Sequence, residues 1–207
     1  MLIDITPKIT SESMVWPGDT PPSREVLLDL ARSDAVTLST IRSTVHLGAH
    51  ADAPNHYHVD GRAIDEQPLD LYVGACEVMA VDGVRGSRLS IDDLPQTPTT
   101  ERLLLQTGTF DGFEAWNNDF CGLEPSLVDH LAQCGVRLVG VDTPSVDLMA
   151  DKDIQAHQRF FANDMAILEG LSLHDVPPGT YELIALPLRL VGFDASPIRA
   201  ILRSLNS

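Results

Sequence analysis

The sequence predicts an α/β fold: a single domain, 1–207, built around a mixed β-sheet. Three observations carry this. Runs rich in Val, Ile, Leu and Thr outnumber the segments of helical periodicity. The helical segments gather in the second half. The apolar strand pattern also resumes after every polar stretch. With 207 residues, 43% of them hydrophobic, the chain is long enough to bury a sizeable core without disulfide staples.

Taken in order, strand-like runs are Leu2–Ile5, Thr37–His46, Cys76–Val81, Leu103–Thr107, Leu138–Asp142 and Tyr181–Leu186, each bounded by Gly, Pro or Asp. The polar stretch Gly83–Thr100 reads as a surface excursion inside the domain. Glu124–Gln133 predicts a helix, with Pro125 at its start, Leu127 and Leu131 one turn apart and Gly135 as its stop. Ile154–Phe161 predicts a second helix. Pro197–Leu205 predicts a third, with Ile198, Ile201, Leu202 and Leu205 on one face.

Charge and cysteine content bound the function. There are 30 Asp and Glu against 14 Lys and Arg, a net charge of -16. A nucleic acid needs a basic surface that displaces counterions, and an anionic membrane needs much the same, so neither is an expected partner. Cys76, Cys121 and Cys134 form no C-x-x-C pair and read as free thiols in a reducing cytoplasm. The opening MLIDITPKIT is broken by Asp4 and reads as neither a signal peptide nor a membrane span.

The chemistry concentrates in His46-Leu-Gly-Ala-His50-Ala-Asp52-Ala-Pro-Asn-His56-Tyr-His58, which holds four of the seven histidines. Gly48 and Pro54 argue against a helix here. In an extended chain the even positions share a side, which places His46, His50, Asp52, His56 and His58 together. The odd positions Leu47, Ala49, Ala51 and Ala53 are small and apolar enough to pack. A straight strand would hold His46 and His50 ~13 Å apart, so the chain must bend near Gly48 for both to reach one ion. Imidazoles with a carboxylate suit Zn, Mn or Fe, and Zn is the usual ion for hydrolysis. A merely polar sheet edge explains one histidine but not four with an aspartate. A cupin-like set, His56-Tyr-His58 with Glu66, leaves His46, His50 and Asp52 unused. His58 is the weakest member and reads as a supporting or surface residue.

This segment resembles the signature H-x-G-T-H-x-D-x-P-x-H of the cyclase-type metal-dependent hydrolase family, which includes bacterial kynurenine formamidases and isatin hydrolases. Ala49 stands at the Thr position of that pattern. The likeness to the kynurenine formamidase branch extends to VWPGDTPP, LDLYVGACEVMAVD, GVDTPSVD, QAH and the segment from AILEGLSLHD to SPIRAIL. The resemblance implies a swivelling β/β/α domain, usually associated as a homodimer or larger oligomer, with two metal ions. By position it implies that His46 and His50 ligate one ion, that His157 ligates the other, and that Asp52 and Glu169 bridge them. It further implies His56 as proton donor and acceptor and Trp16 as a pocket residue. Trp116 is an alternative pocket residue. The implied activity is zinc-dependent hydrolysis of N-formylkynurenine to kynurenine and formate. Two other readings stay open: hydrolysis of a cyclic amide such as isatin, and a metal-bound protein that only captures aromatic metabolites.

Overall fold

The computed structural model describes residues 1–205. Its strands are β1 Leu2–Asp4, β2 Ser23–Leu28, β3 Leu38–Arg42, β4 His50–Asp52, β5 Val73–Ala80, β6 Arg88–Leu89, β7 Arg102–Gln106, β8 Gly122–Leu123, β9 Leu138–Val141, β10 Ala166–Glu169, β11 Gly179–Ile184, β12 Ala195–Pro197 and β13 Ile201–Ser204. The helices are α1 Pro125–Gln133 and α2 Gln155–Ala162. Nine strands form one mixed sheet in the order β1-β13-β11-β5-β7-β9-β10-β4-β12. The centre, β5 to β10, is parallel, and both flanks are antiparallel. The α/β class and mixed sheet expected from the sequence are thus observed. No helix among the described residues is long and apolar enough to cross a membrane.

The parallel centre is apolar on both faces, as strands covered from both sides must be. Leu104, Leu138 and Leu168 point into one layer with Ala49, Ala51, Ala53 and Tyr72. Leu103, Leu105, Val139 and Ile167 point into the other, against Leu127, Val128 and Leu131 of α1 and Ala156 and Phe160 of α2. Both helices therefore cover one face of the sheet.

Four expectations need correction. Pro197–Leu205 is not a helix; it holds the end of β12, a turn and β13. Ile198, Ala200 and Leu202 are buried at every second position, a strand period, and β13 gains backbone partners on both sides from β1 and β11. Thr37–His46 shortens to β3, which pairs with β2 in a separate ribbon and is exposed along its whole length. The even-side row from His46 to His58 is extended only over β4; a turn precedes it and a short 3-10 turn, Pro54–His56, follows. The stretch Gly83–Thr100 is more than a surface excursion, since it contains β6, paired in parallel with β8.

Candidate metal centre and active site

The site lies on the helix-covered face, toward one edge of the sheet. In the antiparallel pair of β4 and β10, His50 stands opposite Glu169 and Asp52 opposite Ile167. Directly opposed residues share a face. Ala51 and Leu168 thus enter the apolar layer while His50, Asp52 and Glu169 face α2. From α2, His157 reaches over them. The expected bend is present: Gly48 has φ +59°, a left-handed value that favours glycine, and it folds His46 back toward His50. The two imidazole centroids are 5.0 Å apart.

Hydrogen bonds fix which nitrogens are free. His50 Nδ1 donates to the carbonyl of Gly48 at 2.9 Å. A carbonyl can only accept, so Nδ1 is the donor there and Nε2 is the nitrogen turned to the carboxylates. That Nε2 sits 3.4 Å from Asp52 Oδ1 and 3.3 Å from Glu169 Oε2. His157 Nδ1 donates to Asp147 Oδ2 at 2.8 Å, which leaves its Nε2 3.3 Å from Asp52 Oδ2 and 3.5 Å from Glu169 Oε1. His46 lies between two carboxylates, with Nδ1 3.0 Å from Asp52 Oδ1 and Nε2 3.0 Å from Asp194 Oδ2. Glu169 Oε1 also accepts from the backbone N–H of Val146 at 2.8 Å, which steadies the carboxylate.

These residues fit a metal. His50 Nε2 and Asp52 Oδ1 are buried and have no hydrogen-bond partner, an arrangement that costs free energy unless something else occupies it. Donors sharing one tetrahedral ion at ~2.0–2.1 Å stand ~3.3 Å apart, close to the separations here. His46, Asp52 and His56 form one set of converging donor atoms; His50, Asp52 and Glu169 form another. Asp52 is common to both, the arrangement a shared carboxylate requires.

The electrostatics agree. Burial alone raises the Asp52 carboxyl, but the surrounding imidazoles hold it well below the usual carboxylate range. Burial and the charge of Asp52 push Glu169 up, yet the facing imidazoles of His157 and His50 leave it lowered. Burial pulls the His46 imidazole down; the facing carboxylates of Asp52 and Asp194 carry it up to about 9. His157 is likewise raised against the pull of burial, chiefly by Asp147. His56, in contrast to His46 and His157, is lowered, because burial outweighs the carboxylates.

Beside the cluster opens a cavity of about 380 Å³ lined by Trp16, Trp116, Phe113, His46, His50, His56, His157 and Glu169. Trp16 and Trp116 meet edge to face at 6.1 Å. Both tryptophans singled out in the sequence therefore reach the pocket. His58 does not; it stacks on Phe161 at 3.7 Å. Sequence reading assigned no role to Asp147 and Asp194, which orient His157 and His46. Asp147 stands in the quoted GVDTPSVD, and the only signal there was a carboxylate near no obvious partner.

The Cyclase family model matches residues 3–148. That stretch contains His46 through His56 and Asp147, and stops before His157 and Glu169. Among solved structures, a predicted metal-dependent hydrolase from Bacillus stearothermophilus is 31% identical, with a TM-score of 0.81 over 98% of this chain and 97% of that one. A structure described as a potential metal-dependent hydrolase with cyclase activity is 29% identical, with a TM-score of 0.84 over 98% and 96%. Isatin hydrolase A from Ralstonia solanacearum shares the fold at 20% identity, with a TM-score of 0.81 over 98% and 91%. The family match covers more than half of the sequence, and the histidine–aspartate motif inside it is the one that builds the buried cluster; this chain belongs to the Cyclase family.

Proposed function

We propose that this protein is a metal-dependent hydrolase that cleaves the linear amide of N-formylkynurenine, releasing kynurenine and formate. The observation that carries the reading is a tryptophan-lined cavity opening directly onto the buried His50, Asp52, His157 and Glu169 cluster. The metal-dependent hydrolases among its structural relatives support the reaction class. The choice of an aryl formamide rests on the two tryptophans and on the sequence resemblance.

In this reading His46, His50, His157, Asp52 and Glu169 would hold two ions, and the ions would be zinc. Bound there, zinc supplies Lewis acidity and lowers the pKa of a water from ~15.7 toward ~7. The chain's own residues do the rest. Trp16 and Trp116 hold the aniline ring and exclude water from one side of the amide, and such aromatic contacts are worth ~0.5–1.5 kcal/mol beyond area burial. His56, at the cavity wall and neutral near pH 7 because burial lowers it, takes the proton lost by the attacking water. The same imidazole returns that proton to the departing aryl nitrogen. Asp194 Oδ2, 3.8 Å from His56 Nδ1, faces the ring and stabilises the proton while it rests there.

We place the enzyme in the cytoplasm, in keeping with three free cysteines. We also read it as a homodimer, in keeping with the exposed leucines Leu27, Leu28 and Leu38 of the β2–β3 ribbon. The decisive experiment is a spectrophotometric assay of zinc-loaded protein with N-formylkynurenine, beside isatin and with a chelator control. Chelator-sensitive release of kynurenine supports the proposal. Ring opening of isatin without turnover of the formamide moves the substrate to cyclic amides. Metal binding without turnover of either leaves a binding protein.

A further inference from the structure

We propose that Arg88 is a positioning residue for the metal centre, acting through Asp147 on the ring of His157. The inference rests on the assignment of His157 as a metal ligand made above.

The geometry forms a chain of three side chains. Arg88 lies on β6, the short strand inside the polar stretch Gly83–Thr100. Its Nη1 donates to Asp147 Oδ1 at 2.8 Å and to the carbonyl of Leu123 on β8, and its Nη2 pairs with Asp151. The guanidinium is thus fixed by the β6–β8 ribbon on one side and by carboxylates on the other. Asp147 Oδ1 also accepts the backbone N–H of Ala156 at 3.0 Å. Asp147 Oδ2 accepts the backbone N–H of His157 at 3.1 Å and its Nδ1–H at 2.8 Å.

Asp147 therefore does two things at once. It caps the start of α2 from a distance, because Ile154, the residue at the cap position, has no side chain able to do so and sits at φ +42°. It also holds the His157 ring by Nδ1, which turns Nε2 toward Asp52 and Glu169. A carboxylate behind a metal-binding histidine sets ring orientation and basicity, and losing it typically costs ~10–100-fold in metal affinity. Asp147 is 2% exposed, and a buried carboxylate keeps its charge only with donors around it. Among the described residues, Arg88 is the one guanidinium that meets it. Without Arg88 the carboxylate loses a charge-assisted partner on Oδ1 and is free to rotate away from His157. The ribbon of β6 and β8 then has a purpose beyond packing: it carries a cation to the back of the site.

The test measures zinc affinity by competition with a chromophoric chelator in full-length protein, with melting of the metal-free protein followed by circular dichroism. Arg88→Met should weaken zinc binding ~10–100-fold, as should Asp147→Asn. The double variant should be no weaker than Asp147→Asn alone, because both act through one contact. Arg88→Lys, which keeps a charge beside Asp147, should recover part of the loss, and it serves as the test should Arg88→Met fail to fold. Parental zinc affinity in both Arg88 variants would overturn the proposal, and so would losses that multiply in the double variant. His157→Gln separates the levels. If it too binds zinc like the parent, the ligand assignment fails. If it loses zinc while the Arg88 variants do not, only the role of Arg88 fails.

Discussion

At His50 one backbone bend settles both what the imidazole holds and what it leaves free. The Gly48 carbonyl accepts a hydrogen bond from Nδ1, and Nε2 is left facing two carboxylates. Asp52 is the hub of the same geometry, since its oxygens face His46, His50 and His157 together. Asp52→Ala is therefore expected to lose ion from both positions, whereas His56→Ala should keep its ion and lose ~10²–10⁴-fold in kcat. Metal analysis beside turnover decides between them. Equal loss of ion in the two variants would make His56 a ligand, a role its place beside His46 and Asp52 also permits. A second residue-scale expectation concerns the thiols. Burial pushes the Cys76 thiol up to about 12 and raises Cys121 as well. At pH 8 a thiol with that pKa is ~10⁻⁴ thiolate. In native protein iodoacetamide should label Cys134, which is only partly buried, and should reach Cys76 and Cys121 only after unfolding. Labelling of Cys76 in the folded state, read by peptide mass spectrometry, would mean that its sheet opens locally.

At the scale of the elements, the site depends on how closely β10 approaches the turn before β4. Gly170 follows Glu169 at φ +67°, and a Cβ there would fall far inside contact distance of the Gly48 carbonyl. That carbonyl is the one that fixes His50. Gly170→Ala should therefore cost at least ~2 kcal/mol through backbone strain and overpacking, and should also weaken metal binding by moving His50 relative to Glu169. Melting without metal separates the two losses. Normal stability with normal zinc affinity would show that the turn can yield. The sequence made this bend legible, because His46 and His50 could share an ion only if the chain turned at Gly48. It also made legible β5, β7 and β9, whose apolar runs need no distant partner to identify them, but it missed β10 beside them. It hid β13, whose apolar residues satisfy a helical period equally well until β1 and β11 supply strand partners. It hid β6 because two residues in a polar stretch carry no period at all. His157 and Glu169 were legible only by resemblance: a histidine on a helix and a carboxylate ending a strand look ordinary until the fold brings them to Asp52.

For the whole molecule, the metal donors come from segments far apart in sequence, with 105 positions separating Asp52 from His157. In the unfolded chain these groups are scattered, so an ion binds the folded state almost exclusively and adds stability by mass action. The net charge of -16 favours uptake of a divalent cation and works against the compact state when none is bound. Zinc at ~1,000 times its Kd should stabilise the fold by ~4 kcal/mol, which for a chain of this size raises Tm by ~8–16 °C. Scanning calorimetry in zinc and in chelator measures the difference. His157→Gln provides the internal comparison: it removes one donor from the α2 side, so its rise on adding zinc should be much smaller than the parent's. A rise of equal size in both would place the stabilising ion elsewhere on this acidic surface. A rise confined to the parent would tie the stability of the fold to the closure of β4, β10 and α2 around one buried cluster.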